Sequence, residues 1–222
     1  MAKKFSILRT IKSVFQSEEE KRHSLVGPAH LWKMKRDFQI SFLKKMNLKP
    51  DHKLLDIGCG TLRGGIPLIE YLNEGNYYGL EVRQEVLNQG KQELTKHNLE
   101  SKNPNLICHS DFDTLEISSK LDYMFAFSVL IHMEDSIVTK CIEFVGRNLS
   151  DNGVFYANIN IESHSDADWQ GFPVVFRSLD FYKELAKKNG LTVEPIGTLE
   201  ELGHISGQKL ADKQVMLKFT RS

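Results

Sequence analysis

The chain has 222 residues, 41% hydrophobic and 26% charged, with 29 basic and 29 acidic side chains. That length suits one α/β domain with an N-terminal extension and a sizeable core, and the zero net charge gives no global field for nucleic acid. No apolar run approaches the roughly 18 residues of a membrane span or forms a signal-peptide core, and Cys59, Cys108 and Cys141 lack pairing or metal-like spacing, as expected of reduced thiols in a cytoplasmic protein.

The balance hides an asymmetry: residues 1–36 carry nine Lys/Arg and three Glu, a local net of +6. Over residues 3–16, Phe5, Leu8, Ile11 and Phe15 share one helical face, with Lys4, Arg9 and Lys12 elsewhere. Such a basic amphipathic helix packs on its own domain or on a second subunit, or lies on an anionic membrane surface. Residues 1–26 therefore form an N-terminal helix and a solvated connector, and 27–222 the domain proper. Gly27-Pro28 breaks the chain, and Leu31, Met34, Phe38, Phe42 and Met46 then predict a helix from Ala29 to about Met46.

Lys53 to Ile57 is a short apolar run that reads as a buried parallel strand. It is followed by Gly58-Cys59-Gly60-Thr61-Leu62-Arg63-Gly64-Gly65 and by a helical segment from about Gly64 to Glu74. Glycines between a strand and a helix let the backbone turn tightly and come close to a ligand. A dinucleotide fingerprint would put a third glycine at position 63, where this chain has Arg63. Tyr77 to Val82 reads as the second strand, and Glu81 lies 21 residues beyond Gly60, the place of an acidic residue that accepts from the ribose hydroxyls of an adenosine. Cys59 sits where a small side chain is needed.

Further along, Gln84–His97 patterns as a helix, Leu106–His109 as a third strand and Leu121–Ser128 as a nearly all-apolar fourth. Asp135 or Ser136 caps a helix running to Asn148, and Val154–Asn160 is the fifth strand. Residues 161–176 read as irregular, a polar and aromatic loop containing His164, Asp166, Asp168, Trp169 and Phe172. Three ligand types on one short loop, without other support, do not make a metal site, so none is expected. Ser178 caps a helix over Leu179–Asn189, Leu191–Ile196 and Lys213–Thr220 are closing strands, and Glu200–Asp212 is a loop.

The string LLDIGCGTLRGG, residues 54–65, closely resembles the first motif of class I S-adenosylmethionine (SAM)-dependent methyltransferases. The resemblance implies a three-layer α/β, Rossmann-like fold: a seven-stranded, mostly parallel sheet with an antiparallel last strand and helices on both faces. It implies SAM as cofactor and S-adenosylhomocysteine (SAH) as product. Asp56, Gly58, Cys59 and Gly60 would lie at the methionine end, with Arg63 either reaching the cofactor carboxylate or remaining a surface charge. Glu81 and Val82 would meet the ribose, Asp111 and Phe112 the adenine (with Asp113 as rival or turn cap), and Ser128 the end of the fourth strand. The helix over 27–47 would be a lid, with His30, Trp32 and Arg36 facing the pocket, or else a surface helix with one buried stripe, and Trp169 a substrate wall. His132 is the one candidate base, against a capping or packing role. The Asn/Asp-Pro-Pro-Tyr/Phe motif of amino methylation is absent after the fourth strand, where Phe127-Ser128-Val129-Leu130 stands. The expected acceptor is therefore a hydroxyl or amine of a small molecule or glycan, not nucleic acid. The alternatives are a SAM-binding protein without catalysis and a nicotinamide-dependent oxidoreductase.

Overall fold

The computed structural model describes residues 22–161, 164–169 and 171–222. The amphipathic helix over 3–16, with its membrane reading, lies outside them. Among the described residues the sheet has seven strands in the order β3-β2-β1-β4-β5-β9-β8. They are β1 (Leu54–Ile57), β2 (Tyr77–Glu81), β3 (Asn105–Cys108), β4 (Leu121–Ala126), β5 (Leu149–Ile159), β8 (Leu191–Thr198) and β9 (Val215–Arg221). The first five run parallel, and β9 is antiparallel to both β5 and β8. The expected last strand is thus inserted between its two neighbours, and β8 runs with the majority. A separate hairpin, β6 (Ala167–Trp169) with β7 (Phe172–Val174), occupies the stretch expected to be irregular.

Period-two alternation divides each central strand between two cores. Leu55, Ile57, Met124, Ala126, Phe155 and Ala157 pack on one face with Val138, Cys141, Ile142 and Val145 of α4 (Asp135–Asn148) and with Tyr182, Leu185 and Ala186 of α5 (Leu179–Lys188). Leu54, Tyr123, Phe125 and Tyr156 pack on the other. There they meet Phe38, Phe42 and Leu43 of α1 (Trp32–Lys45), Ile66, Leu68 and Ile69 of α2 (Gly65–Tyr71), and Leu87 and Leu94 of α3 (Gln84–Lys96). The helix expected from Ala29 opens as a 3-10 turn, Ala29–Leu31, because Pro28 holds an extended ψ of 122° just before it. Ser178 caps α5 as expected, its hydroxyl accepting from the Phe181 N–H at 3.2 Å. Within the loop expected over Glu200–Asp212, residues Lys209–Asp212 form a short helix, α6.

β1 pairs with β2 on one side and β4 on the other, so the winding reverses between β1 and β4. In open parallel sheets that reversal leaves a crevice beyond the strand carboxyl ends. A chain of buried amides fixes its far wall. The Ser128 N–H donates to Asn158 Oδ1 at 2.7 Å, and Asn158 Nδ2 to Gln214 Oε1 at 2.6 Å. Gln214 Nε2 then donates to Asn160 Oδ1 at 3.1 Å, and Asn160 Nδ2 to the Val175 carbonyl at 3.0 Å. These bonds tie the ends of β4, β5 and β9 and the segment after β7 into one piece. Asn158 is fully buried, so Asn158→Ala strands the Ser128 N–H and the Gln214 carbonyl, at about 1–3 kcal/mol for each orphaned group. Urea unfolding of Asn158→Ala is expected to show a loss in that range at an unchanged slope.

Candidate active site

Gly58 and Gly60 have φ of +72° and +58°, and Cβ atoms there would come within 2.5 Å of Val129 Cγ2 and 2.6 Å of Val26 Cγ1. Both the backbone sign and the close approach thus require glycine. The Gly58 and Cys59 N–H groups donate to the Leu80 carbonyl, which locks the loop to the end of β2. The Gly60 N–H donates to Glu81 Oε2 at 3.1 Å. Glu81 Oε1 accepts from the Val82 and Arg83 N–H groups at 3.1 and 3.0 Å and from Arg83 Nε at 3.3 Å. A buried carboxylate is thus held at the tip of β2, facing the glycine loop.

Asp56 is buried beneath the loop, where its Oδ2 accepts from the Tyr77 hydroxyl at 2.8 Å. Burial raises its pKa to about 7 against the opposing pull of Tyr77 and Arg63. Arg63 enters the same cleft, with Nη1 donating to the Val26 carbonyl at 2.8 Å and Nε buried without a partner. Burial lowers its pKa to about 10. Val26, Gln39, Asp56, Gly58, Cys59, Gly60, Arg63, Gly64 and Phe127 line one narrow cleft. A cradle that admits no Cβ, two buried carboxylates of which one carries a proton near neutrality, and a guanidinium with an open donor fit a compact ligand bearing cationic, carboxylate and diol groups. Thr61 Oγ1, buried and unpartnered, adds a further open valence nearby in the loop.

The stretch before α1 covers this cleft. Arg22 Nε pairs with Glu93 of α3 at 2.8 Å, and His23 stacks on Trp32 with ring centres 3.7 Å apart. Trp32 is buried, with the Arg63 guanidinium 6.0 Å from its ring. Arg36 instead pairs with the exposed Asp37 at 3.0 Å, beside a surface hollow it shares with His30.

Beyond β4, Ser128 turns with φ +59° and His132 follows in a 3-10 turn. His132 Nδ1 lies 2.7 Å from the Pro173 carbonyl oxygen. Its ring is 6.2 Å from Trp169 and 6.1 Å from Phe172. Phe172 also lies 5.4 Å from the Arg83 guanidinium, so the β6–β7 hairpin reaches from the end of β4 to the end of β2. Trp169 and Phe172 remain 43% and 39% exposed, open to a flat partner.

Other sequence expectations fall unevenly. Val82 is 60% exposed beside Glu81. Asp111 accepts from the Asp113 N–H at 3.1 Å, and both carboxylates pair with Lys140. The Phe112 ring is buried 5.7 Å from Phe144, a core position rather than a covering one. Asp166 is bound to Arg177 at 2.7 and 2.8 Å, Asp168 accepts from the Gly171 N–H, and no group of three His, Cys, Asp or Glu able to hold a metal occurs among the described residues. Sequence reading passed over the Lys35, Gln39, His204 and Asp212 that surround this end of the sheet. Asp212 accepts from His204 Nδ1 at 3.1 Å, from Ser206 N and Oγ, and from the Gly207 N–H.

Residues 48–202 match the methyltransferase domain family. The chain belongs to that family. Among solved structures, this methyltransferase resembles magnesium protoporphyrin IX methyltransferase (ChlM) from Synechocystis PCC 6803 with bound SAM, at TM-score 0.67 and 15% identity, covering 96% of each chain. It also resembles an S-adenosylmethionine-dependent methyltransferase from Clostridium acetobutylicum ATCC 824, at TM-score 0.65 and 16% identity, over 86% of this chain and 92% of that one. A third similar structure is DesVI from Streptomyces venezuelae, at TM-score 0.65 and 12% identity, over 94% and 100%. The fold is that of the SAM-dependent methyltransferases, and the nicotinamide alternative falls away. No described helix of the methyltransferase is long and apolar enough to cross a membrane.

The raised pKa of Asp56 carries a signed consequence. In the unfolded chain it loses its proton near 3.8 and in the folded protein near 7. Between those values the unfolded state binds fewer protons, so stability falls as pH rises through the window. Asp56→Asn keeps an acceptor for Tyr77 and removes this loss. Thermal melts of the ligand-free protein are expected to show the variant gaining on the wild type between pH 5 and 8.

Proposed function

We propose that the methyltransferase moves the methyl group of SAM to a hydroxyl or amine of a small-molecule or sugar-type acceptor, with His132 taking the proton. The carrying observation is the bond from His132 to Pro173. A carbonyl oxygen only accepts, so Nδ1 bears the hydrogen, and Nε2 of the neutral ring keeps its lone pair for an incoming hydroxyl or amine. Burial, and then the Lys35 charge, lower the His132 pKa from 6.5, so the ring is neutral at physiological pH.

SAM, when bound, supplies an electrophilic methyl on a sulfonium. The chain's part is to hold, orient and deprotonate. Asp56, Gly58, Cys59 and Gly60 receive the methionine end, and Arg63 with its free Nε receives the carboxylate. Glu81 receives the ribose diol in place of Arg83 Nε, the longest of its present contacts. Val82, exposed beside it, and Asp111 serve the adenosine side. The packing of Phe112 supports no covering role for its ring. Ser128, fixed by Asn158, shapes the turn between cofactor and acceptor, while Trp32 and Trp169 close the two sides. Arg36 has no support from its contacts for a place in the pocket.

Calorimetric titration of SAM, SAH and NADH tests the cofactor. Micromolar binding of SAM and SAH, none of NADH, and at least roughly tenfold weaker SAM binding by Glu81→Ala are expected; unweakened binding removes the ribose role. His132→Gln is expected to lower turnover by about 10²–10⁴ with SAM affinity unchanged, as loss of a general base does. Turnover in the wild type should fall with acid below pH 6.5, where the ring gains its proton. Unchanged turnover of His132→Gln at saturating acceptor removes the base.

A further inference from the structure

Lys35 is the least expected residue at this end of the sheet. Its stem is packed into the protein, with the residue 8% exposed, and its ammonium, whose tip stays open to solvent, makes no hydrogen bond or ion pair among the described residues. A lysine buried to this degree normally pairs its charge. Arg63 repels it, and Asp212, the carboxylate among the described residues that attracts it, is already engaged by His204, Ser206 and Gly207. Burial first, and Arg63 second, lower the Lys35 pKa to about 8.

It stands beside the cofactor cleft without lining it: Gln39, one helical turn on, lines that cleft with Arg63, and Lys35 does not. The Lys35 charge acts on Arg63, and also on His132 beyond β4 and on His204 in the loop between β8 and β9. Phe38 of the same helix lies 5.1 Å from the His204 ring and 5.4 Å from Phe127, a wall of the cofactor cleft. Asp212 holds the Nδ1 hydrogen of His204, so Nε2 is a bare acceptor, buried and without a partner. Through Phe38, the stripe of α1 that carries Lys35 thus meets an unpartnered imidazole acceptor at the same end of the sheet, beside the cofactor wall.

The geometry points to an acceptor that carries an anionic oxygen group, a carboxylate or a phosphate, which is received by Lys35 while His204 Nε2 accepts from a neighbouring hydroxyl or amine. This rests on the methyl-transfer reading above and names its substrate class. With the anion in place, the Lys35 charge is paired. The aromatic faces of Trp169 and Phe172 flank His132 beyond it, which suits a flat ring bearing the anion.

The test uses the full chain saturated with SAH and titrates benzoate, phenylphosphate and benzamide by calorimetry, in the wild type, Lys35→Met and Lys35→Gln. Benzoate or phenylphosphate is expected to bind at least tenfold more tightly than benzamide, and the tighter of the two identifies the anion. Both variants should lose at least tenfold of that affinity, bind SAH within twofold of wild type, and melt no lower than wild type in the absence of ligand. Equal binding of all three probes, or anion binding that survives both substitutions, overturns the inference. Tenfold weaker SAH binding by the variants also overturns it and assigns Lys35 to the cofactor carboxylate. Absence of SAH binding in the wild type removes the methyl-transfer reading itself, and this inference with it.

Discussion

The reversal of winding between β1 and β4 is the constraint on which the rest of the site depends. Two neighbouring parallel strands whose connections leave in opposite directions cannot both be covered at their carboxyl ends. The chain fills that gap with backbone. Gly58 and Gly60 turn with positive φ where Val129 and Val26 leave no room for a side chain, and the loop hangs from the Leu80 carbonyl and the Glu81 carboxylate. Polar groups of β1 and β2 thereby converge without any long side chain reaching across. The Asp56 and Glu81 carboxylates sit on residues whose backbones are already fixed by the sheet.

The second property of the site is uneven satisfaction of its polar atoms. The amides from Ser128 through Asn158, Gln214 and Asn160 to Val175 are bonded end to end, and the acceptor-side wall is correspondingly rigid. Beside them Arg63 Nε and His204 Nε2 are buried and unbonded. Most buried polar atoms in folded proteins have partners, so those left open mark where a ligand completes the structure. Rigid walls with a few open valences give orientation at low entropic loss, which is what an in-line transfer between two bound molecules requires.

Much of this architecture was legible in the sequence, for identifiable reasons. β1 and β4 are buried on both faces, so they appear as apolar runs interrupted only by Asp56 and Asp122, and the glycines after β1 answer to local geometry alone. Glu81 was found by its spacing from the loop. The closing strands were visible by alternation, but their order in the sheet was not, because pairing is decided by tertiary contacts. The β6–β7 hairpin was missed: its strands are three residues each, and Ala167–Trp169 is exposed throughout, leaving no buried face to print a pattern. Lys35 and His204 were invisible for a different reason. A lysine on a helix is ordinarily solvated, and the contact of Phe38, one turn on, with a histidine far along the chain shows what this stripe of α1 faces. Phe112, an apolar residue at the expected distance, packs in the core beside Phe144.

Insertion of β9 between β5 and β8 carries a consequence for how the molecule is made. During synthesis β5 emerges well before its neighbour on that side, and β8 precedes the strand that joins it to the sheet. Until β9 arrives, β5 presents an open edge of unpaired N–H and C=O groups, which is where a nascent chain invites pairing with another. Asn158 and Asn160 lie at that edge, and the amide that closes their network, Gln214, arrives with β9. A ribosome-bound chain stalled before residue 214 would therefore hold a formed glycine loop beside an unfinished acceptor wall. The two halves of the site mature at different moments in the life of the chain.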